Sequence, residues 1–330
     1  MVILSLLVIA GLAYCANYLA HINPVIEFPI WAAVLGIIVG NLPRISNKLK
    51  LGANPEFFIK IGLILLGSSI NFAVIMSVGA RGIIQVLIGM PLVFFFTWYC
   101  AKWFGLEDKL RAVMATALSI CGVSAAIAAT GAVLAKKEQL TYIIALVILF
   151  ALPLMVIMPY TAQAIGLSPA VAGAWIGNNI DTTAAVIGAG AIHGEEALKV
   201  ASVVKMTQNV FIGIVAFLLA LYFCFKVERG REKPKVIELW YRFPKFVFGF
   251  LAISLMVTFG VFSSAEVKVL SNMRKWFFCL AFVCIGMSFN FKEMRKIGGK
   301  PLLVFAICTA FNTATALGLG WLLFNDYEVS

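Results

Sequence analysis

The sequence is poor in charged side chains and nearly free of histidine. Of its 330 residues 12% are charged, 15 are acidic and two are His, whereas 62% are apolar and the mean hydropathy is +1.00. This composition excludes an ordinary soluble domain, which could not bury so large an apolar fraction. The long apolar runs predict an integral membrane protein instead, because each helix needs about 20 mostly apolar residues to cross a bilayer.

Motifs for enzymatic chemistry and metal binding are also missing. The sequence has no Gly-rich phosphate loop before a helix, no Gly-x-Ser-x-Gly elbow and no His-Glu-x-x-His pair. His193 lies near Glu195 and Glu196 at a helix end and His21 lies in a loop, neither in a metal-ligand arrangement, and the seven cysteines lack metal-ligand spacing. We therefore expect no enzymatic activity, no cofactor and no bound metal.

Apolar runs and loop signals predict an all-α polytopic membrane bundle of about eleven transmembrane helices, forming a single domain over residues 1–330. No helix-free stretch is long enough for a separate soluble domain. The predicted spans are residues 2–20, 28–41, 57–77, 82–103, 111–135, 140–160, 168–190, 197–225, 244–262, 275–291 and 301–324.

Lysine and arginine are distributed unequally between the two sides of this predicted bundle. The net charge is +11, and the loops on one side carry 17 basic residues against 7 on the other. The positive-inside bias places the more basic side, with the amino terminus, in the cytoplasm and the carboxyl terminus outside. Because these residues lie in short loops and form no basic and aromatic groove, we expect no nucleic-acid partner.

Two segments 219 residues apart share a G-x-S-x-N-F signature. The shift aligns Gly67 with Gly286, Ser69 with Ser288 and Asn71 with Asn290, among other identities. Since the two predicted spans run in opposite directions, the signature indicates an inverted repeat of the kind found in secondary transporters. Chance similarity between two apolar segments is the alternative.

A polar cluster interrupts the seventh predicted span. Asp181 is the only acidic residue in the middle of an apolar run, and Gly177, Asn178, Asn179, Thr182 and Thr183 surround it. A lipid-facing helix does not tolerate such a run without internal partners, so we expect a discontinuous helix here. The amino-terminal end of its second half would favour an anion, and Asp181 is the candidate ion-coupling residue.

The fifth predicted span carries a weaker interruption around Ser119, Cys121, Gly122 and Ser124. Two interrupted helices are the usual sign of a binding site near the middle of the membrane. Small residues also allow close helix packing without any ligand, and this alternative stays open.

Lys205 lies about eight residues inside the eighth predicted span, on one helix face with Gln208 and Asn209. Either Lys205 forms an internal salt bridge with Asp181, or it binds an anionic substrate while Asp181 takes up and releases a proton. The candidate substrate-binding residues are Lys205, Asn209, Asn178, Asn179, Thr182, Cys121, Gly122 and Ser124.

The ordered motifs GLILLGSSINF, SICGVSAAIAA, GNNIDTTAAVIGAGAI, KMTQN and WFFCLAFVCIGMSFNF resemble the bacterial YeiH-type family, which is usually described as sulfate exporters. The resemblance covers nearly the whole chain. It implies a fold similar to cation-proton antiporters and bile-acid symporters, with inverted repeats and crossed discontinuous helices. Lys205, Thr207 and Asn209 match the family's Lys-x-Thr-x-Asn run, whereas Ile180 and Asp181 stand where the family is expected to have a His-Glu pair.

Three functions fit these observations. The leading hypothesis is a secondary transporter that exports a small anion, sulfate or an organic sulfonate, coupled to a proton or sodium ion; a homo-oligomer is possible for such a protein. The second is a membrane-embedded, ion-conducting subunit of a larger complex. The third is a structural or assembly protein, in which neutral replacements at Asp181 and Lys205 would change nothing.

Overall fold

The computed structural model describes residues 2–22, 28–42, 54–69, 72–223, 225, 245–289, 291 and 298–327. Over these residues the chain is mainly helical and has no strand, as the apolar runs predict. Its helices are α1 (Val2–Ile22), α2 (Phe28–Gly40), α3 (Pro55–Leu66), α4 (Phe72–Trp103), α5 (Asp108–Thr116), α6 (Gly122–Val133), α7 (Lys137–Ala164), α8 (Pro169–Asn179), α9 (Thr183–His193), α10 (Glu195–Tyr222), α11 (Phe246–Thr258), α12 (Ser264–Ser288) and α13 (Gly299–Phe324).

Contacts between helix ends define the two faces of the bundle. Face 1 contains the end of α4, the start of α7 and the start of α13. Near the start of α7, Tyr142 Oη donates at 3.2 Å to the carbonyl of Gly298, the residue before α13. Face 2 contains the start of α4 and the end of α13, where Arg81 donates to the Leu323 carbonyl. Many large apolar side chains on the outer helix surfaces remain exposed, as expected for a surface that contacts lipid.

The fifth predicted span is interrupted where the sequence indicates, but it does not cross the membrane. A π turn at Ala117–Cys121 separates α5 from α6. Lys109 Nζ, at the start of α5, donates to the Leu134 carbonyl just after α6 at 3.2 Å, and Gln139 Nε2 donates to Glu107 Oε2 at 2.8 Å. Both ends therefore lie on face 1, and residues 108–133 form a re-entrant hairpin, which we call hairpin 1.

The seventh predicted span reverses in the same way from the opposite face. Gly173 and Gly177 of α8 pack on Ala197 and Ala201 of α10, so these two helices run parallel. In contrast, Gly190 of α9 packs on Leu198, near the start of α10, and Thr183 bonds Asn209 further along it, so α9 runs antiparallel to α10. Residues 169–193 thus form a second re-entrant hairpin from face 2, which we call hairpin 2.

These reversals correct the expected crossing of two discontinuous helices. By length and apolar character alone, residues 108–133 qualify as one of seven candidate membrane spans. A continuous 26-residue helix would separate its ends by about 39 Å, at 1.5 Å per residue. The end-to-end hydrogen bonds exclude such a separation. In the described part of the chain, six of the seven long candidates remain as spans (α1, α4, α7, α10, α12 and α13), beside the shorter apolar helices α2 and α11.

Three predicted boundaries also differ from the structure. Helix α3 ends in a 3-10 turn at Gly67–Ser69, and α4 begins at Phe72, so the predicted division into spans 57–77 and 82–103 was wrong. Helix α12 begins at Ser264, eleven residues before the predicted start at 275. A capping box between Ser263 and Glu266 sets this start, whereas the basic residues near position 270 suggested a loop.

The repeated glycines occupy similar packing positions. A Cβ on Gly67 would lie 2.4 Å from the Phe250 carbonyl of α11, and one on Gly286 would lie 2.1 Å from the Ala33 carbonyl of α2. Helices α3 and α12 run antiparallel, because Gly62 packs on Phe278 while Ser69 bonds Arg274. The opposed packing is as expected for an inverted repeat; Asn71 and Asn290 of the signature lie outside the described residues.

Cross-linking can test the reversal of hairpin 1. A protein with Lys109→Cys and Leu134→Cys as its only cysteines should react efficiently with a short bis-maleimide, because these two positions contact each other. The matched control pairs Lys109→Cys with Ala164→Cys, at the far end of α7, and should give no cross-link. If neither pair is cross-linked in folded protein, the reversal of hairpin 1 is contradicted.

Candidate functional site

The tips of the two hairpins meet inside the bundle. Cys121 Sγ lies 3.5 Å from Thr183 Oγ1. At Gly122 a Cβ would lie 2.3 Å from Val147 Cγ1 and 3.1 Å from the Asp181 carbonyl, so the approach of the tips requires glycine at this position. The fold thus brings together the two interruptions, at Cys121 and Asp181, which are 60 residues apart in the sequence.

The first arms of the two hairpins, α5 with its π turn and α8, end at this meeting point. Their last backbone carbonyls have no partners within their own helices. A helix leaves its last carbonyls without intrahelical partners, and they form the negative end of its dipole. Side chains from α10 supply donors to them: Lys205 Nζ to the Ile120 carbonyl at 2.6 Å, and Gln208 Nε2 to the Ser119 carbonyl at 3.0 Å and the Asn178 carbonyl at 3.4 Å.

Helix α13 completes this set of donors. Asn312 Nδ2 donates to the Asn179 carbonyl at 3.1 Å and to the Leu118 carbonyl at 3.4 Å, so one amide joins both hairpins. The Asn179 side chain in turn donates to Thr313 Oγ1 at 3.0 Å. Asn178 and Asn179 therefore hold the tip of hairpin 2 in place, and neither lines the cavity described below.

Lys205 is only 1% exposed, and its ammonium also donates to Gln208 Oε1 at 2.6 Å. The salt bridge to Asp181, one of the two alternatives for Lys205, is not formed, although the two residues lie near enough for their charges to interact. Lys205 does not line the cavity either. Because Lys205 donates to the Ile120 carbonyl, its charge neutralises the negative helix end at the tip of hairpin 1, which we call the carbonyl end of hairpin 1.

The second arms, α6 and α9, begin at the same meeting point. Thr182 Oγ1 accepts from the Ala185 amide at 3.3 Å and caps α9, whereas α6 has no side-chain cap. Each arm therefore has free N–H groups and a positive dipole end in the middle of the protein. The polar cluster around Asp181 predicts one such helix start in the middle of the protein. The structure has two, one from each hairpin.

A cavity of about 920 Å³ leads from face 1 to these helix starts. Its wall is formed by parts of α3, α6, α7, α9, α10, α11 and α12. Of the predicted substrate-binding residues, it includes Cys121, Ser124, Thr182 and Asn209, and it adds Thr183. Gly122, Asn178, Asn179 and Lys205 lie behind the cavity surface and support it.

Asp181 lies at the tip of hairpin 2 beside cavity-lining Thr182 and is 3% exposed. Within the described residues, its carboxylate accepts no hydrogen bond and pairs with no cation. A buried carboxylate without a hydrogen bond or a direct ion pair is costly, and the nearby charge of Lys205 offsets only part of that cost, so a proton or cation at this position would be stabilising.

An acidic residue at the open end of the cavity was not among the site residues predicted from the sequence. Glu56, in the first turn of α3, accepts from Ser124 Oγ at 3.4 Å and forms an ion pair with Lys60 at 3.1 Å. Both charged side chains are nearly half exposed, so this end of the cavity contacts solvent. The position near a predicted helix start gave no indication that Glu56 faces a cavity.

An ion pair between a buried arginine and a half-exposed glutamate, which was not predicted from the sequence, lies on face 2, on the opposite side of the protein from the cavity opening. Arg274 of α12 donates to both Glu195 carboxylate oxygens, at 2.8 and 3.3 Å, and to Ser69 Oγ at 2.8 Å. Arg274 is 2% exposed although the sequence placed it in a loop. The pair connects the start of α10 to α12 and α3 on face 2.

The described residues contain no group of three or more His, Cys, Asp or Glu side chains placed to hold a metal ion. Residues 1–305 match the family model described as conserved hypothetical protein 698. The chain belongs to this family. It is the same family as the YeiH-type proteins that the sequence motifs resemble, and the chain is a multi-pass membrane protein.

Similar relatives are named UPF0324 membrane proteins. One from Rhodopirellula baltica is 38% identical over 91% of this chain and 58% of its own length, and one from Nitratidesulfovibrio vulgaris is 40% identical over 89% and 54%. The chain thus spans little more than half the length of these family members. A Streptococcus pyogenes relative is 29% identical over 96% of this chain and 95% of its own length. No solved structure matches the chain.

Proposed function

We propose that the protein is a secondary active transporter that exports a small anion across the bacterial inner membrane, coupled to an ion such as a proton. The observation that carries this proposal is a cavity with an opening at face 1 that ends at two helix amino termini from opposite hairpins. Half-helix amino termini at the middle of a membrane are suited to anionic groups of a substrate.

The proposed orientation places face 1 and the amino terminus in the cytoplasm. Reversal of hairpin 1 transfers Lys136 and Lys137 to the side that already has more basic residues, which changes the division from 17 against 7 to 19 against 5. The larger asymmetry supports a cytoplasmic face 1 under the positive-inside rule. In this orientation the cavity is accessible from the cytoplasm, as an exporter requires.

In the proposed cycle the anion binds at the hairpin tips, in contact with Ser124, Thr182, Thr183 and Asn209. Asp181 takes up or releases the coupling proton beside it. Opening toward face 2 requires separation of Arg274 from Glu195, which form an ion pair on that side. One group of helices would then move against the other, so that the site is exposed to each face alternately.

Flux into proteoliposomes tests this proposal. Purified wild-type protein should move at least one anion from a panel of sulfate and organic sulfonates, at a rate that responds to an imposed pH gradient and is absent from protein-free liposomes. A sodium gradient imposed separately distinguishes the other candidate coupling ion. If no anion moves with either gradient, the transporter proposal is wrong, and an ion-conducting subunit that requires a partner chain becomes the better proposal.

A further inference from the structure

The cavity combines a small polar end with a large apolar wall. At the hairpin tips the polar lining residues are Ser124, Thr182, Thr183 and Asn209, and the other polar parts of the wall come from Glu56, Lys60, Thr141, Lys245 and Ser288. Most of the remaining wall is aliphatic or aromatic and is contributed by Leu63, Ile127, Ile144, Ile148, Leu152 and Phe246. A ligand that fills this space must therefore be apolar over much of its surface.

An unpartnered polar group is buried at the polar end. Asn209 is 4% exposed, and its Nδ2 donates to Thr183 Oγ1 at 3.2 Å, while its Oδ1 has no partner in the protein. Because a hydroxyl both donates and accepts, the amide can turn end for end and keep this bond. Its NH₂ group would then donate to an anion at the hairpin tips.

With Asp181 protonated, as the proposed cycle allows, and the Glu56 carboxylate paired with Lys60, the compensating charge at the hairpin tips is that of the two helix starts. Lys205 is behind the tips and donates to Ile120 and Gln208. The lysines in the described cavity wall, Lys60 and Lys245, belong to the starts of α3 and α11, and Lys60 is paired with Glu56. Each helix start carries roughly half a positive charge, so α6 and α9 together balance about one negative charge.

The volume of the cavity also favours a ligand larger than an inorganic anion. About 920 Å³ is near the upper end of the roughly 300–1,000 Å³ typical of sites for drug-sized ligands. An inorganic tetrahedral oxyanion would leave most of this space and its apolar wall without contact. A dianion such as sulfate would also retain about one uncompensated charge in a low-dielectric site.

We infer that the cavity binds an amphiphilic monoanion, with a sulfonate or carboxylate at the hairpin tips and an apolar body along α7, and that inorganic sulfate is a poor ligand. This inference rests on the proposed transport function and specifies its substrate class. The apolar wall would supply affinity in proportion to the area that the ligand body covers.

Counterflow in proteoliposomes can test the inference with five defined probes. We expect benzenesulfonate and benzoate to compete with the loaded anion at least tenfold more strongly than sulfate, methanesulfonate to be intermediate, and neutral benzenesulfonamide to compete poorly. Ile148→Ala should weaken competition by benzenesulfonate about fourfold, the loss expected for roughly one methylene of contact, and that by methanesulfonate less than twofold. Ile157→Ala, which changes a residue on the lipid-facing side of α7 that is 58% exposed, is the matched control.

Different outcomes overturn different statements. Transport of sulfate at least as strong as that of benzenesulfonate would contradict the inference and leave the transporter proposal intact. Equal competition by benzenesulfonamide would contradict the requirement for a negative charge. Absence of all anion movement would contradict the transporter proposal itself, on which the inference depends.

Discussion

Replacement of Lys205 by methionine is expected to reduce anion flux by at least about 100-fold. The ammonium donates to the Ile120 carbonyl and to Gln208 Oε1 in a fully buried position, so its loss leaves both acceptors unsatisfied. One charge-assisted hydrogen bond of this kind contributes up to about 3 kcal/mol, which corresponds to roughly 150-fold in an equilibrium constant. The tip of hairpin 1 would no longer keep the geometry that directs α6 at the cavity.

Lys199→Met is the matched control for this change. It removes the same charge from the same helix, but near face 2 and away from the hairpin tips, and it should retain flux within about twofold of wild type. Both variants should first be shown to be monodisperse after purification. Normal transport by folded Lys205→Met protein would show that neutralising the carbonyl end of hairpin 1 is not required.

Replacement of Asp181 by asparagine is expected to uncouple transport from the pH gradient. The change keeps the size of the side chain and removes the group that we propose takes up the proton. Accumulation driven by a pH gradient should fall at least about 50-fold, because neutral asparagine cannot change its charge during the cycle. Anion exchange at equal pH on both sides should persist, since the cavity-lining groups are unchanged.

The control is Asp326→Asn, which alters an exposed aspartate beyond the end of α13. This variant should keep both modes of transport. If Asp181→Asn protein accumulates anion under a pH gradient as well as wild type does, Asp181 is not the coupling residue. If it loses exchange at equal pH as completely as driven transport, Asp181 has a structural role at the tip of hairpin 2.

The positions of both interruptions could be predicted from sequence, whereas their reversal could not. Asp181 and the small residues near Gly122 stand out because a lipid-facing helix does not accept them. A run of about 26 apolar residues, however, is long enough for one span or for two short arms, and hydropathy is the same for both. The basic residues after Val133 were the available signal, since hairpin reversal places them on the more basic side.

The roles of individual polar residues were harder to predict than their importance. Helical spacing correctly placed Lys205, Gln208 and Asn209 on one face of α10, but only the structure shows that the first two bond hairpin carbonyls while Asn209 lines the cavity. The partnership of Arg274 with Glu195 joins residues 79 positions apart and leaves no local pattern. Long-range pairs of this kind depend on how helices pack, which periodicity does not specify.

Labelling of Cys121 tests the central claim most directly, because that claim places the anion at the hairpin tips at the end of a path from the cytoplasmic face. The protein would carry Cys121 as its only cysteine, and a small membrane-impermeant thiol reagent would be added to either side of oriented vesicles. We predict labelling from the cytoplasmic side alone, loss of transport on labelling, and protection by a transported anion. Labelling from the outer side alone would contradict the account. So would labelling that does not reduce transport and that proceeds at the same rate with and without the transported anion.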